Sequence, residues 1–226
     1  MITHAMLLAA GRGTRMGALT DTCPKPLLVV RGKPLIVWHI EQCAAAGIKR
    51  LVINHAWLGT LIEQTLGDGS AWGLSIRYCA EPTALETSGG IANALPWLGS
   101  APFAVISSDI FCDFDFGRLH GVATQIENSD LRAWCVLVNN PAHHPQGDFA
   151  CENGLMMQRR HAASPALTYS GIGVYTAALF ADVAPGKPER LLTQLMVGTN
   201  ARQIGAQIHD GFWTDVGTPE RLAQLQ

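Results

Sequence analysis

Short apolar runs rich in branched side chains alternate with longer stretches of helical periodicity through the first part of the chain. Residues 5–8, 51–53, 74–78, 103–106 and 133–138 read as strands, because such side chains fit a pleated surface covered on both faces. Between the first two runs, Ile36, Ile40, Cys43 and Ala44 fall on one helical face. Pro34 suits the first turn of that helix and Gly47 its end. Residues 58–66 form a second helical stretch, closed by Gly67-Asp68-Gly69. The alternation predicts an α/β fold with a Rossmann-like, mostly parallel mixed sheet and helices on both faces. Trp134, Trp97, Ile91 and Leu95 read as core.

From about Asn139 the pattern loosens. Two short runs at 155–158 and 171–175 predict a small antiparallel elaboration beside the sheet. Helical pieces at 177–182 and 188–197, a strand at 202–208 and a terminal helix after Pro219 complete the reading. No internal repeat or low-complexity segment interrupts it.

Composition narrows the classes of partner. A chain of 226 residues buries one substantial core, so a single domain spanning 1–226 is expected. Sixteen basic and eighteen acidic residues leave a net charge of −2, with no basic stripe for nucleic acid. No apolar run approaches the roughly 20 residues that span a bilayer, so no membrane partner is expected. Six scattered cysteines without a Cys-x-x-Cys pair, and no secretory leader, point to reduced thiols and a cytoplasmic location.

Candidate chemistry concentrates in residues 7–26. After the first strand, Gly11 and Gly13 remove side chains where backbone N–H groups can point at phosphate oxygens. Arg15 follows, and Pro24 and Pro26 hold Lys25 in extended backbone that returns its ammonium to the loop. The spacing is neither the dinucleotide Gly-x-Gly-x-x-Gly nor a P-loop, which argues against a nicotinamide-dependent dehydrogenase. A nucleoside triphosphate site is the expectation. Asp109 follows the strand at 103–106, at the carboxyl end where open sheets bind ligands. His143 and His144 point opposite ways on extended backbone and lack partners at ligand spacing, so a pocket loop is expected there rather than a metal site.

Leu8-x-Ala10-Gly11-x-Gly13-Thr14-Arg15 followed by Pro24-Lys25-Pro26 resembles the signature of the sugar 1-phosphate nucleotidylyltransferases. The segments Ile53 to Gly59, Leu85 to Gly90, His143 to Phe149, Tyr169 to Ile172 and Asp215 to Arg221 resemble one branch, the N-acetylmuramate 1-phosphate uridylyltransferases of cell-wall recycling. The resemblance covers nearly the whole chain. It implies a GT-A-like nucleotidyltransferase with a nucleotide-binding part over about 1–138 and a sugar-binding part over about 139–226.

By the same resemblance, Arg15, Lys25 and Asp109 are catalytic. Ala10, Gly11, Arg12, Gly13, Thr14, Arg15, Lys25, Asn54, Glu81, Glu86, Gly90 and Ser107 would contact the nucleotide, with Thr87 or Ser88 capping the helix beside them. Gly147, Asp148, Ser170 and Gly171 would contact the sugar. Asp109 and Asp215 would hold Mg2+, the two hard oxygen ligands leaving room for substrate phosphates. Ser107-Ser108 stands before Asp109 where the family more often has Gly-Asp or Asn-Gly-Asp. Many relatives also carry a Glu-Lys-Pro lysine for the sugar phosphate; here Arg159 and Arg160 are the candidate substitutes.

The implied reaction is uridylyl transfer from UTP to a sugar 1-phosphate with release of pyrophosphate. GTP with mannose 1-phosphate, dTTP with glucose 1-phosphate, a CTP-dependent polyol phosphate transferase and a non-catalytic nucleotide sensor remain as alternatives. With no appended module after Arg221, a monomer or weak homo-oligomer is expected.

Overall fold

Alternate residues of the central strands face opposite layers, as a period of two requires. Ala5, Leu7, Leu51, Ile53, Ala104 and Ile106 enter one buried cluster, while Met6, Val52, Phe103 and Val105 enter another. The computed structural model, which describes residues 1–226, builds these layers from the following elements. The strands are β1 (His4–Leu8), β2 (Val29–Val30), β3 (Lys33–Pro34), β4 (Arg50–His55), β5 (Ser75–Ala80), β6 (Phe103–Ser107) and β7 (Ile110–Cys112). They continue as β8 (Ala133–Val138), β9 (Phe149–Glu152), β10 (Leu155–Gln158), β11 (Thr168–Tyr175), β12 (Ile204–His209) and β13 (Trp213–Asp215). The helices are α1 (Leu19–Thr22), α2 (Leu35–Ala45), α3 (Gly59–Leu66), α4 (Glu86–Leu98), α5 (Leu119–Glu127), α6 (Leu191–Asn200) and α7 (Pro219–Ala223).

One nine-stranded sheet runs β5-β4-β1-β6-β11-β8-β12-β10-β9. β5, β4, β1 and β6 are mutually parallel, and β12 is parallel to β8. Helices α2, α3 and α5 cover one face through Ile36, Ile40, Ile62, Leu66, Val122 and Ile126. Helices α4 and α6 cover the other through Ile91, Ala94, Leu98, Leu191 and Leu195. The mixed sheet with helices on both faces is the expected fold class.

Two features depart from the expected layout. β11 does not lie beside the sheet; it is inserted at its centre, antiparallel to both β6 and β8. Its residues Ser170 to Tyr175 are all buried, which a strand at an edge could not achieve. Helix α5 is absent from the expectations, although Leu119, Val122, Ala123 and Ile126 have helical spacing and are all buried. The antiparallel part proper is the β9–β10 pair at the sheet edge, with separate two-stranded ribbons β2–β3 and β7–β13.

Candidate active site

The carboxyl ends of β1, β4 and β6 bring Leu8, Asn54 and Ser107 side by side. This is where an open parallel sheet leaves a crevice. A hollow of about 450 Å³ opens there, lined by Ala10, Gly11, Arg12, Gly13, Thr14, Arg15, Lys25, Asn54, Glu86 and Ser107 among others. Its wall begins with Ala9, whose N–H donates to Asn54 Oδ1 at 3.0 Å, fixing the loop to β4. Gly13 adopts φ +69°, and an added Cβ would stand 3.3 Å from Lys25 Cβ, so the loop lies directly on the lysine stem.

Two cations of this loop differ in availability. Arg12 lies 3.9 Å over the Trp57 ring, pairs with Asp21 at 3.1 Å and donates to the Thr20 carbonyl at 2.9 Å. Arg15 is exposed and engages no partner within the chain. Lys25, by contrast, is buried and donates from Nζ to Asp109 Oδ2 at 2.6 Å.

Asp109 lies just beyond β6 and is brought to Asp215 by the β7–β13 ribbon. Ile110 sits opposite Asp215, and the Val216 N–H donates to the Asp109 carbonyl at 2.7 Å. Asp215 Oδ1 accepts from Arg221 at 2.9 Å and lies 2.8 Å from His143 Nε2. Asp109 Oδ1 and Asp215 Oδ2 therefore have no partner in the chain, leaving one hard oxygen on each acid. That donor set suits a divalent cation sharing substrate phosphates.

Ser108 is turned towards the end of β1. It is buried, and both its N–H and its hydroxyl donate to the Leu8 carbonyl, at 3.1 and 2.5 Å. The serine thus ties the end of β6 to the end of β1.

A second hollow of about 590 Å³ adjoins the first and shares Leu8, Arg15, Glu86, Thr87, Ser107 and Asp109 with it. Asp148, Ser170 and Gly171 line it, with His143, His144, Arg190 and Trp213. Asp148 holds both sides of this wall: its Oδ2 accepts from the Tyr169 N–H at 2.9 Å and its Oδ1 lies 3.0 Å from His144 Nε2. The two adjacent histidines face different carboxylates, but from a turn rather than from the expected extended backbone, since the His144 N–H donates to the Pro141 carbonyl at 2.9 Å; no cluster of three metal-ligating side chains forms.

Several expected residues stand back from the cleft wall. Glu81 is buried and accepts from Asn54 Nδ2 at 2.8 Å and from the Leu85 N–H at 2.9 Å, so it braces the residues behind the hollow. Gly90 lies against the same pair, where a Cβ would come within 2.8 Å of both side chains. Gly147 turns at φ +59° against the Leu167 carbonyl, outside both hollows. Arg159 donates to the Gln146 carbonyl at 3.0 Å, and neither it nor Arg160 reaches the second hollow. Neither Thr87 nor Ser88 caps α4; the Ser88 and Gly89 N–H groups donate instead to the Glu189 carbonyl at 2.8 and 3.2 Å. Glu86, which faces both hollows, holds a left-handed φ of +57° at the start of that helix. Arg190 was not anticipated; nothing local marks it, because it reaches the cleft only through the α4–Glu189 contact.

A glycine loop over a buried lysine, facing two acids on one ribbon, within a half-parallel sheet, defines a nucleotidyltransferase. The chain belongs to the nucleotidyl transferase family, whose family model matches residues 4–153. It is 46% identical over 224 residues to an N-acetylmuramate alpha-1-phosphate uridylyltransferase of Neisseria meningitidis, covering 98% of this chain and 96% of that protein. A protein of the same name from Caulobacter vibrioides is 31% identical, with 96% and 92% covered. A mannose-1-phosphate guanylyltransferase of Mycobacterium tuberculosis is 28% identical, with 97% of this chain but 63% of that protein covered. Among solved structures, a putative glucose-1-phosphate thymidylyltransferase from Bacillus anthracis shares the fold, with a TM-score of 0.82, 20% identity and 98% and 93% coverage. No helix is long and apolar enough to cross a membrane.

Proposed function

We propose that this chain transfers the uridylyl group of UTP to N-acetylmuramic acid 1-phosphate and releases pyrophosphate, supplying a UDP-sugar to peptidoglycan recycling. The observation that carries the reading is the meeting of the two hollows at Arg15, Ser107 and Asp109, which leaves room for a triphosphate tail and a sugar phosphate side by side. The choice of base and sugar follows the Neisseria relative.

A non-bridging oxygen of the sugar 1-phosphate attacks the α-phosphorus. The bond from that phosphorus to the α–β bridging oxygen breaks, and pyrophosphate leaves with the electron pair. A phosphate monoester with a second pKa of about 6 is already anionic near neutral pH, so no side chain has to remove a proton. Alignment and charge neutralisation then supply the catalysis. Arg15 neutralises the β- and γ-phosphates as the leaving group gains charge, Lys25 holds the α-phosphate, and the Gly11–Gly13 backbone admits the tail. Asp109 and Asp215 would hold magnesium, which when bound offsets phosphate charge and polarises phosphoryl oxygens.

The test is pyrophosphate release by the purified protein with magnesium, over four nucleoside triphosphates and a panel of sugar 1-phosphates. UTP with N-acetylmuramic acid 1-phosphate is expected to give the highest kcat/KM. A preference for GTP with mannose 1-phosphate would replace this reading, and nucleotide binding without pyrophosphate release would make the protein a sensor.

A further inference from the structure

Three guanidinium groups line the cleft, those of Arg12, Arg15 and Arg190. Arg12 is engaged by Asp21, Thr20 and Trp57. Arg15 lines both hollows and answers to the triphosphate. Arg190 lines the second hollow alone, and its side chain takes part in no hydrogen bond or ion pair of the chain.

The surroundings make that unpaired cation informative. The second hollow carries four carboxylates, on Glu86, Asp109, Asp148 and Asp215. Its two histidines already face Asp215 and Asp148. Lys25 and Arg221 answer Asp109 and Asp215, and Arg15 stands at the border with the first hollow, so Arg190 is the unpaired cation left for an additional negative group on the sugar.

The position of Arg190 is built rather than incidental. The Glu189 N–H donates to the Leu85 carbonyl at 3.0 Å, and the Glu189 carbonyl receives the Ser88 and Gly89 N–H groups. Gly89 permits this approach, since a Cβ there would stand 2.3 Å from the Lys187 carbonyl oxygen. The segment carrying Arg190 is thereby fastened to the first turn of α4, which also lines the nucleotide hollow. Next to it, Leu191, Leu192 and Leu195 give the same wall an apolar strip, with Leu192 left 53% exposed.

We infer that Arg190 determines sugar specificity: its guanidinium takes the carboxylate of an acidic sugar 1-phosphate, and the adjoining leucines take the carbons that bear it. This rests on the proposed function and deepens it, because N-acetylmuramic acid carries a lactyl ether, a methyl and a carboxylate together, that N-acetylglucosamine lacks. A planar fork of N–H donors matches a carboxylate in a two-bond contact, which an ammonium cannot reproduce.

The experiment compares N-acetylmuramic acid 1-phosphate with N-acetylglucosamine 1-phosphate, by UTP-dependent turnover and by calorimetric binding, for the wild type, Arg190→Ala and Arg190→Lys. The preference for the acidic sugar should fall by roughly ten- to a hundredfold in Arg190→Ala, mainly through KM, as expected for a lost hydrogen bond to a charged group. Arg190→Lys should recover part of it. Equal losses on both sugars would place the guanidinium on the sugar phosphate and overturn the inference, as would an unchanged preference. A wild type that does not prefer the acidic sugar would instead overturn the proposed function, so the two failures are distinct.

Discussion

Lys25 and Asp109, 84 residues apart in the chain, are joined by an ion pair of 2.6 Å in which the partners are unequally buried. The lysine side chain is 9% exposed and the aspartate side chain 40%. Removing the acid strands an ammonium away from water, whereas removing the amine leaves a carboxylate that water already reaches. Asp109→Ala should therefore cost about 1–3 kcal/mol of stability, and Lys25→Met less than about 1 kcal/mol. Both should lose turnover by roughly 10² to 10³. Urea titrations and pyrophosphate release check the two parts separately; near wild-type turnover in either variant would remove that residue from the chemistry.

The β7–β13 ribbon sets Asp109 and Asp215 next to each other, each with one oxygen lacking a protein partner. Chelation with excess EDTA should reduce pyrophosphate release to background, and added magnesium should restore it. Asp215→Asn should raise the magnesium concentration for half-maximal rate by at least about tenfold, because an amide oxygen is a weaker ligand for a hard cation. Full activity in chelator would exclude a divalent ion from this pair.

The nucleotide side of the cleft was legible because its determinants are local. Glycines, an arginine and a lysine lie within twenty residues of one another, and β1, β4 and β6 announce their buried faces by composition; the backbone of the lysine is the exception, since Lys25 opens a 3-10 turn, Lys25–Leu27, rather than the extended segment its flanking prolines suggest. The sugar side depends on contacts between distant segments. Arg190 reaches the cleft only because Glu189 bonds to the start of α4, and in sequence it looks no different from Arg159 or Arg160, which lie on the outside. Glu81 carries a charge that its sequence context cannot distinguish from a ligand's, yet burial against Asn54 and Leu85 makes it a brace. β7 and β13, three residues each, are too short for periodicity to register.

His39 offers a pH test of the same region. Its ring is fully buried, stacked 6.2 Å from Phe116, with Nε2 2.9 Å from the Ile110 carbonyl and Nδ1 without a partner. Desolvation depresses its pKa from 6.5 to about 4, against a smaller opposing effect of the Ile110 carbonyl. Between those values the unfolded chain holds a proton that the folded chain does not. The stability is intact above pH 6.5 and is lost as pH falls towards 4, at up to about 1.4 kcal/mol per pH unit. Urea midpoints measured from pH 7.5 to 4.5 should fall less steeply in His39→Gln than in the wild type. Parallel curves would show that another group governs the acid limb.

Gly171 lies at φ +84° where β11 changes register against β8, and it faces the end of β6. A Cβ at this position would stand 2.8 Å from both Cβ and Oγ of Ser107, a residue shared by the two hollows. Gly171→Ala thus combines a left-handed backbone penalty of about 1 kcal/mol with a steric one that pushes β11 away from β6. The steric part depends on Ser107, whereas the backbone part does not. Ser107→Gly introduced alongside Gly171→Ala should accordingly recover the steric share of the lost stability and leave a residue of about 1 kcal/mol. Thermal melts of the two single variants and the double variant close the cycle. Strict additivity would show that Ser107 is not what confines this position to glycine, and the close approach of β11 to the mouth of the cleft would need another cause.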